Sequence, residues 1–357
     1  MNVLYDYQAF NMQRVGGISR YFSLLVNELP QLGVDTQLPI IGSENLYIKD
    51  KGFLGPRFKK LFKKNRRLSK CLLPVLNYDL FHPTYYHPYV LECRSKKRPM
   101  VITVHDMIHE LFSSYFPDAE IVKMQKLAVC RAADRLIAIS ENTKRDMVNL
   151  WGMDESKIDV VYHGMMWPAG LQPKSALLPF TGDYLLYVGD RWAKYKNFEE
   201  FIRGVAPLLH RYGLHLICTG YAFAPYEKEL LKSYGIDNIT YSVMVDEGTL
   251  LGLYKNAVCF IFPSQYEGFG IPILEAFRAE CPVLLSRASC FPEIAGDAAE
   301  YFEVGRPDSL TSSLAEILDS CEKRERMKQL GTERLRRFPV SRMIVETKLV
   351  YERAIAF

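Results

Sequence analysis

Val258-Cys259-Phe260-Ile261-Phe262-Pro263-Ser264-Gln265-Tyr266-Glu267-Gly268-Phe269-Gly270-Ile271-Pro272-Ile273-Leu274-Glu275 joins an apolar run to a glycine-rich loop flanked by two carboxylates. Its first five residues form an apolar run of the kind that makes a buried parallel strand. Pro263 and Ser264 end that strand. Pro272 sits where a helix begins, a position that tolerates proline. The segment is therefore strand, Gly-rich loop, helix. Such an arrangement puts free backbone N–H groups and a helix N-terminus at the carboxyl end of a strand, where open α/β sheets bind ligands and anions are favoured. Glu267 falls on the loop and Glu275 just inside the helix, so both carboxylates can line one cleft. The plain alternative is a helix-entry turn whose acids only complement the helix dipole.

The same alternation of short apolar runs and amphipathic stretches extends in both directions, the pattern of parallel α/β sheets. Upstream, the strand-like runs are Val3-Leu4-Tyr5, Leu80-Phe81-His82, Met100-Val101-Ile102-Thr103-Val104, Arg135-Leu136-Ile137-Ala138-Ile139 and Ile158-Asp159-Val160-Val161. Residues 164–179 are rich in Gly and Pro and read as a linker. Strands resume at Tyr184-Leu185-Leu186-Tyr187-Val188-Gly189, His215-Leu216-Ile217-Cys218 and Pro282-Val283-Leu284-Leu285. The fold class expected is α/β: two Rossmann-like domains whose parallel sheets face each other across a cleft, divided as 1–167 and 168–339. With 357 residues, two cores are the natural division.

A formal net charge of +4 implies no nucleic-acid partner. The eight cysteines are scattered, with no Cys-x-x-Cys pair, and several sit in apolar runs, as reduced core cysteines do. That usage fits a reducing cytoplasm. The amino terminus enters a strand directly, and no long apolar stretch occurs, so neither a signal peptide nor a spanning helix is expected. No Asp-x-Asp and no His/Cys/Asp cluster with metal-ligand spacing occurs, so neither metal nor cofactor is expected.

Further motifs lie in order along the chain: Gly16-Gly17-Ile18-Ser19-Arg20-Tyr21, Thr103-Val104-His105-Asp106, Ile139-Ser140-Glu141-Asn142-Thr143-Lys144, Val161-Tyr162-His163-Gly164, and Tyr187-Val188-Gly189-Asp190-Arg191 followed by Lys196-Asn197. Gly16 and Gly17 would let a backbone approach phosphate between a strand and a helix. The string is not Gly-x-Gly-x-x-Gly, which disfavours a dinucleotide site. Arg191 offers a planar fork for phosphate oxygens and Lys196 a point charge, and a solvated basic loop is the alternative.

Together with Glu267 and Glu275, these motifs resemble the retaining GT-B glycosyltransferases of glycosyltransferase family 4, over almost the whole chain. The resemblance implies a nucleotide-sugar donor on the second domain and an acceptor on the first, with the last helix, 340–357, packed back on the first domain. It implies that Arg191 and Lys196 meet the charge growing on the leaving diphosphate. Glu275 would accept both ribose hydroxyls, and Glu267 would lie beside the sugar ring. The N–H groups around Gly268, Phe269, Gly270 and Ile271 would face sugar and phosphates, as would Gly16 and Gly17. His105 would contact a donor-sugar hydroxyl or the carbonyl of the Gly16 loop, a structural histidine tied to Asp106 being the alternative, and backbone around Val243 would select the base. The expected catalytic set is thus Glu267, Arg191, Lys196 and His105. The strings look most like bacterial surface-polysaccharide mannosyltransferases, which implies GDP-mannose as donor and a saccharide or lipid-linked oligosaccharide as acceptor. A nucleotide-sugar epimerase and a catalytically silent sugar-nucleotide-binding or membrane scaffold are the alternatives.

Residues 56–70 carry Arg57, Lys59, Lys60, Lys63, Lys64, Arg66, Arg67 and Lys70 with no acid. Phe58, Leu61, Phe62 and Leu68 approximate a helical apolar stripe. Such a segment suits an anionic membrane surface on its cytoplasmic face, or else packs its stripe on the core as an ordinary surface helix.

Overall fold

The computed structural model describes residues 1–48 and 63–356. The chain forms two compact units, Met1–Met166 with Val340–Phe357, and Trp167–Pro339.

In the first unit, β1 (Asn2–Tyr5), β2 (Asp35–Gln37) and β3 (Leu80–His82) make a parallel sheet in the order β2-β1-β3. Strands β4 (Val101–Val104), β5 (Arg135–Ala138) and β6 (Ile158–Val160) make a second parallel set in that order. A single parallel bridge, Phe81 to Met100, joins the two. Strand β4 is buried along its whole length, which is why it reads as apolar but for Thr103. The helix Val340–Ala356 completes this unit. Its Val350 and Tyr351 are fully buried, each worth roughly 1.5–3 kcal/mol of apolar burial. Tyr351 also joins a buried chain of polar groups. Its hydroxyl lies 2.9 Å from that of Tyr5 and 2.7 Å from His82 Nδ1, while His82 Nε2 lies 3.0 Å from Thr103 Oγ1. Thr103 Oγ1 in turn meets the Tyr21 hydroxyl at 3.1 Å.

The second unit is built on six parallel strands: β7 (Tyr184–Tyr187), β8 (His215–Thr219), β9 (Thr240–Val243), β10 (Cys259–Phe262), β11 (Val283–Ser286) and β12 (Glu300–Phe302). Their spatial order is β12-β11-β10-β7-β8-β9. The chain starts in the middle, runs out to β9, returns beside β7 as β10, and runs out to β12. The order reverses between β7 and β10, and a crevice opens at the carboxyl ends of such a pair. Helix Phe198–Tyr212 lays Phe198, Phe201, Ile202, Val205, Leu208 and Leu209 on this sheet, a stripe of helical period.

Strands β2, β9 and β12 carry no apolar run, and all three are sheet edges. An edge strand is half wetted, so its sequence need not be apolar. The linker 164–179 has no regular secondary structure, and its start is pinned by Arg278, whose guanidinium donates to the carbonyls of Trp167, Pro168 and Ala169 at 3.1, 2.8 and 3.0 Å. Of the eight cysteines, Cys130, Cys218, Cys259, Cys281 and Cys290 are buried, and all eight are free thiols. Among the described residues no helix is long and apolar enough to cross a membrane.

Candidate active site

Two loops leave the carboxyl ends of β7 and β10, the strands that flank the reversal. After β7, Gly189 takes a φ of +137°, which a side chain would resist. The chain then passes Arg191 and makes a short 3-10 turn, Lys194–Lys196. Asn197 follows at φ +60°, a left-handed position that asparagine tolerates, and helix Phe198–Tyr212 begins. After β10, the loop runs to Gly270 at φ +94° and enters helix Ile271–Arg278, with Pro272 in its first turn. A backbone bond from Gln265 N–H to the Tyr195 carbonyl, 2.7 Å, ties the loops together.

Lys196 and Glu267 meet across this tie. Lys196 Nζ donates to Glu267 Oε1 at 2.5 Å, with side chains 14% and 15% exposed. The Lys196 ammonium also lies over the rings of Tyr195 and Phe262, at 5.2 and 5.6 Å. It is thus a charge held in place by a carboxylate and two π-faces. Glu275 is the fifth residue of its helix, and no acid stands in the first turn. Complementing the dipole is therefore not its task. Its Oε2 accepts from the Tyr254 hydroxyl at 3.2 Å, and burial pushes the Tyr254 phenol well above its usual range, so that hydroxyl stays a donor.

Arg191 goes elsewhere. It is buried, and Nε donates to Glu227 Oε1 at 2.8 Å with both side chains nearly fully enclosed. Its Nη1 donates to the Thr219 carbonyl at 3.0 Å and its Nη2 to the Tyr221 carbonyl, while Phe223 faces its plane at 4.7 Å. Three of five N–H groups are so used, leaving two for a ligand. The solvated-loop alternative does not hold for this residue. Val243 ends β9, and its carbonyl accepts from Gly220 N–H at 2.8 Å. Gly268, Phe269 and Gly270 are buried and Ile271 is half-buried. All these groups lie in the row of loops at the carboxyl ends of β10, β7, β8 and β9.

In the first unit, Gly16 has extended backbone and precedes helix Gly17–Glu28. Ser19 N–H, one of that helix's free donors, is occupied by Gln13 Oε1 at 3.2 Å. His105 is 6% exposed, and its Nε2 has no hydrogen-bond partner among the described residues. Tyr21 and Phe22 pack edge-on to its ring, and His163 stacks with it at 6.0 Å. Burial lowers the His105 pKa to about 4, against the pull of Asp106 and helped by Lys126. The neutral imidazole thus carries one buried nitrogen short of a hydrogen bond. Next to it, Lys126 is 1% exposed and donates to the Asp106 carbonyl at 2.8 Å and to Glu110 Oε2 at 2.9 Å. Burial alone would raise the Asp106 pKa, but the Lys126 ammonium brings it below the usual value. Of the basic segment, Lys63, Lys64, Arg66 and Arg67 are exposed at the start of helix Asn65–Leu72. Lys59 and Lys60 lie outside the described residues.

Glu227, Tyr254 and Ser289 belong to the site's framework and were not singled out from sequence. Glu227 had one local signal. It stands three residues after Ala224 at a Pro-led helix start, and its Oε2 accepts from Ala224 N–H at 2.7 Å. Nothing near Tyr254 or Ser289 announces its partner.

The family described as Glycosyltransferase Family 4 matches residues 15–165, and that described as Glycosyl transferases group 1 matches residues 172–334. The chain belongs to the GT-B glycosyltransferases of family 4. It is 28% identical over 226 residues to the O-antigen chain mannosyltransferase RfbU of Salmonella typhimurium, covering 62% of this chain and 61% of RfbU. It is 30% identical over 250 residues to the MMP alpha-(1->4)-mannosyltransferase of Mycolicibacterium hassiacum, covering 66% of this chain and 57% of that protein. The chain thus spans less than two thirds of either relative. Among solved structures, sucrose-phosphate synthase from Thermosynechococcus elongatus superposes with a TM-score of 0.77 at 18% identity, over 99% of both chains. At that identity the likeness concerns the fold alone.

Proposed function

We propose that this chain moves a hexose from a nucleotide-sugar to a saccharide or lipid-linked oligosaccharide in surface-polysaccharide synthesis, with retained anomeric configuration and no metal. Mannose from GDP-mannose is the donor proposed, because both relatives described above are mannosyltransferases by name. The observation that carries the reading is the Lys196–Glu267 pair at the strand-order reversal, with Glu275 on the same loop-helix unit.

The bond from the anomeric carbon to the diphosphate oxygen breaks on the face where the acceptor oxygen bonds. The acceptor's proton passes to the leaving phosphate oxygen. Lys196, the two remaining N–H groups of Arg191 and the N-terminus of helix Ile271–Arg278 meet the charge that grows there. Glu227 already balances the Arg191 charge, so Arg191 contributes directed donors, and the net positive charge comes from Lys196 once Glu267 turns to the sugar. Glu267 steadies positive charge at the anomeric carbon, Glu275 accepts from the ribose diol, and Val243 lies at the base. On the first unit, His105 Nε2 takes a sugar hydroxyl, and Gly16 and Gly17 admit phosphate. Lys63, Lys64, Arg66 and Arg67 meet an anionic membrane surface, where the chain acts as a peripheral protein on the cytoplasmic face.

Thermal shift with GDP-, UDP-, ADP- and dTDP-sugars tests the donor reading. A ligand at a hundred times its Kd adds about 2.7 kcal/mol. Stabilisation by one nucleotide family that survives EDTA supports a metal-independent site. No stabilisation by any of them refutes it. Sedimentation with phosphatidylserine vesicles tests the membrane reading: loss on neutralising Lys63, Lys64, Arg66 and Arg67 supports it, and unchanged binding sinks it.

A further inference from the structure

We propose that Ser289 is a positioning residue that fixes the Glu267 carboxylate, an inference that rests on the role given to Glu267 above. Strand β11 neighbours β10 and ends at Ser286. The turn after it runs beside the loop after β10 and staples it three times. Ser286 Oγ donates to the Ser264 carbonyl at 2.5 Å. Ser289 Oγ donates to the Glu267 carbonyl at 2.6 Å and accepts from Glu267 N–H at 3.4 Å. Cys290 Sγ, buried, reaches the same carbonyl at 3.2 Å. Both main-chain polar groups of Glu267 are therefore held by one hydroxyl. A loop residue ordinarily leaves these groups to water, and its side chain then samples several directions. Here the backbone that carries the carboxylate is held at both its N–H and its carbonyl, and the side chain turns between Lys196 and the sugar from that fixed base.

The conformation of the clamp is costly. Ser289 stands at φ +52°, one of three non-glycine residues with positive φ among the described residues. A second is Asn197, which directly follows Lys196. Thus a left-handed side-chain-bearing residue adjoins each member of the pair, Asn197 in sequence and Ser289 through hydrogen bonds. Such strain persists where surrounding structure demands it. Glycine would adopt this backbone without cost, yet only a residue with a hydroxyl both donates to and accepts from Glu267. The hydroxyl is what the strained position retains.

The test separates strain from hydroxyl. Ser289→Gly loses the hydroxyl and relieves the strain, whereas Ser289→Ala loses the hydroxyl and keeps it. Melting midpoints are measured with steady-state release of free sugar from GDP-mannose and from UDP-glucose, water serving as acceptor. Expected is a midpoint for Ser289→Gly above that of Ser289→Ala. A kcat about ten- to a hundredfold below wild type is expected in both, the cost of a small misplacement of a reacting group, with donor KM within about twofold. A kcat loss that follows the midpoint instead makes Ser289 merely structural and overturns the inference. If Glu267→Gln abolishes turnover while both Ser289 variants keep wild-type kcat, the clamp is refuted and the role of Glu267 stands. If Glu267→Gln keeps wild-type kcat, that role falls and the clamp with it. Wild-type protein that turns over neither donor overturns both.

Discussion

Replacing Glu227 by Ala should destabilise the second unit severely, and donor nucleotide should partly restore it. The Arg191–Glu227 pair spans 2.8 Å, with side chains 5% and 4% exposed. Removing one partner of such a pair leaves a buried charge uncompensated, which costs about 3–5 kcal/mol. The Thr219 and Tyr221 carbonyls still hold the guanidinium, so its position survives better than its charge balance. The lost bond to Ala224 N–H, a helix cap, adds roughly 1 kcal/mol. In a unit of this size each kcal/mol moves the melting midpoint by about 2–4 °C, so the pair alone is worth roughly 6–20 °C. Scanning calorimetry measures this directly. The double change Arg191→Met with Glu227→Leu should recover most of the loss, because it removes both charges together. GDP should raise the Glu227→Ala midpoint more than that of wild type, since its diphosphate supplies the missing negative charge. A Glu227→Ala midpoint within about 2 °C of wild type would refute the argument, as would a double variant no better than the single.

Acid should weaken the first unit. Burial lowers His82 to about 3 and His105 to about 4, helped at His82 by the neighbouring His105 and opposed at His105 by Asp106, and burial holds His163 well below its usual value. The unfolded chain titrates near 6.5, so below that pH it binds more protons than the folded one, and stability falls as pH drops through 6.5 towards 4. Between pH 7.5 and 5.5 each histidine removes ~1.4 kcal/mol, or ~4 kcal/mol together, and an unchanged urea midpoint over that range would contradict the assignment. Gly270→Ala places a Cβ 2.9 Å from Ile273 Cδ1 at a φ of +94°. It should cost about 1–3 kcal/mol and lower donor turnover, and wild-type turnover would show that the loop's geometry is not needed. Tyr254→Phe removes the hydroxyl that Glu275 accepts from. Nucleotide binding should weaken about fivefold, a change of ~1 kcal/mol, and calorimetric titration with GDP should detect it. Lys196→Met should abolish turnover while GDP still binds, and retained turnover would remove the residue from the chemistry.

The decisive loop was legible because each part of it obeys a local rule. Strand β10 is buried on both faces and so is wholly apolar, Pro263 cannot extend it, and Gly270 and Pro272 suit a left-handed residue entering a helix. Pairing on an edge, as in Asp35-Thr36-Gln37 or Glu300-Tyr301-Phe302, needs no apolar pattern, so those strands left no trace. Arg191 was legible as a cation near a strand end, but its direction was not. That direction depends on Glu227, thirty-six positions away on helix Pro225–Ser233 beyond β8. Ser289 was hidden for the same reason, lying 22 positions from the residue it holds. Residue type and spacing carry the chemistry of a site, whereas the partners that orient it are set by tertiary contact.

The polar chain through Tyr5, Tyr351, His82 and Thr103 bears on how the protein refolds. Unit two is one continuous segment, Trp167–Pro339, whereas unit one needs Val340–Phe357 to be whole. Unit two can therefore close within its own segment, whereas unit one must join two stretches separated by the whole of unit two. Until Tyr351 docks, His82 Nδ1 and the Tyr5 hydroxyl wait with water for partners. A chain cut before residue 340 would hold one complete Rossmann-like domain and one that a protease can still grip.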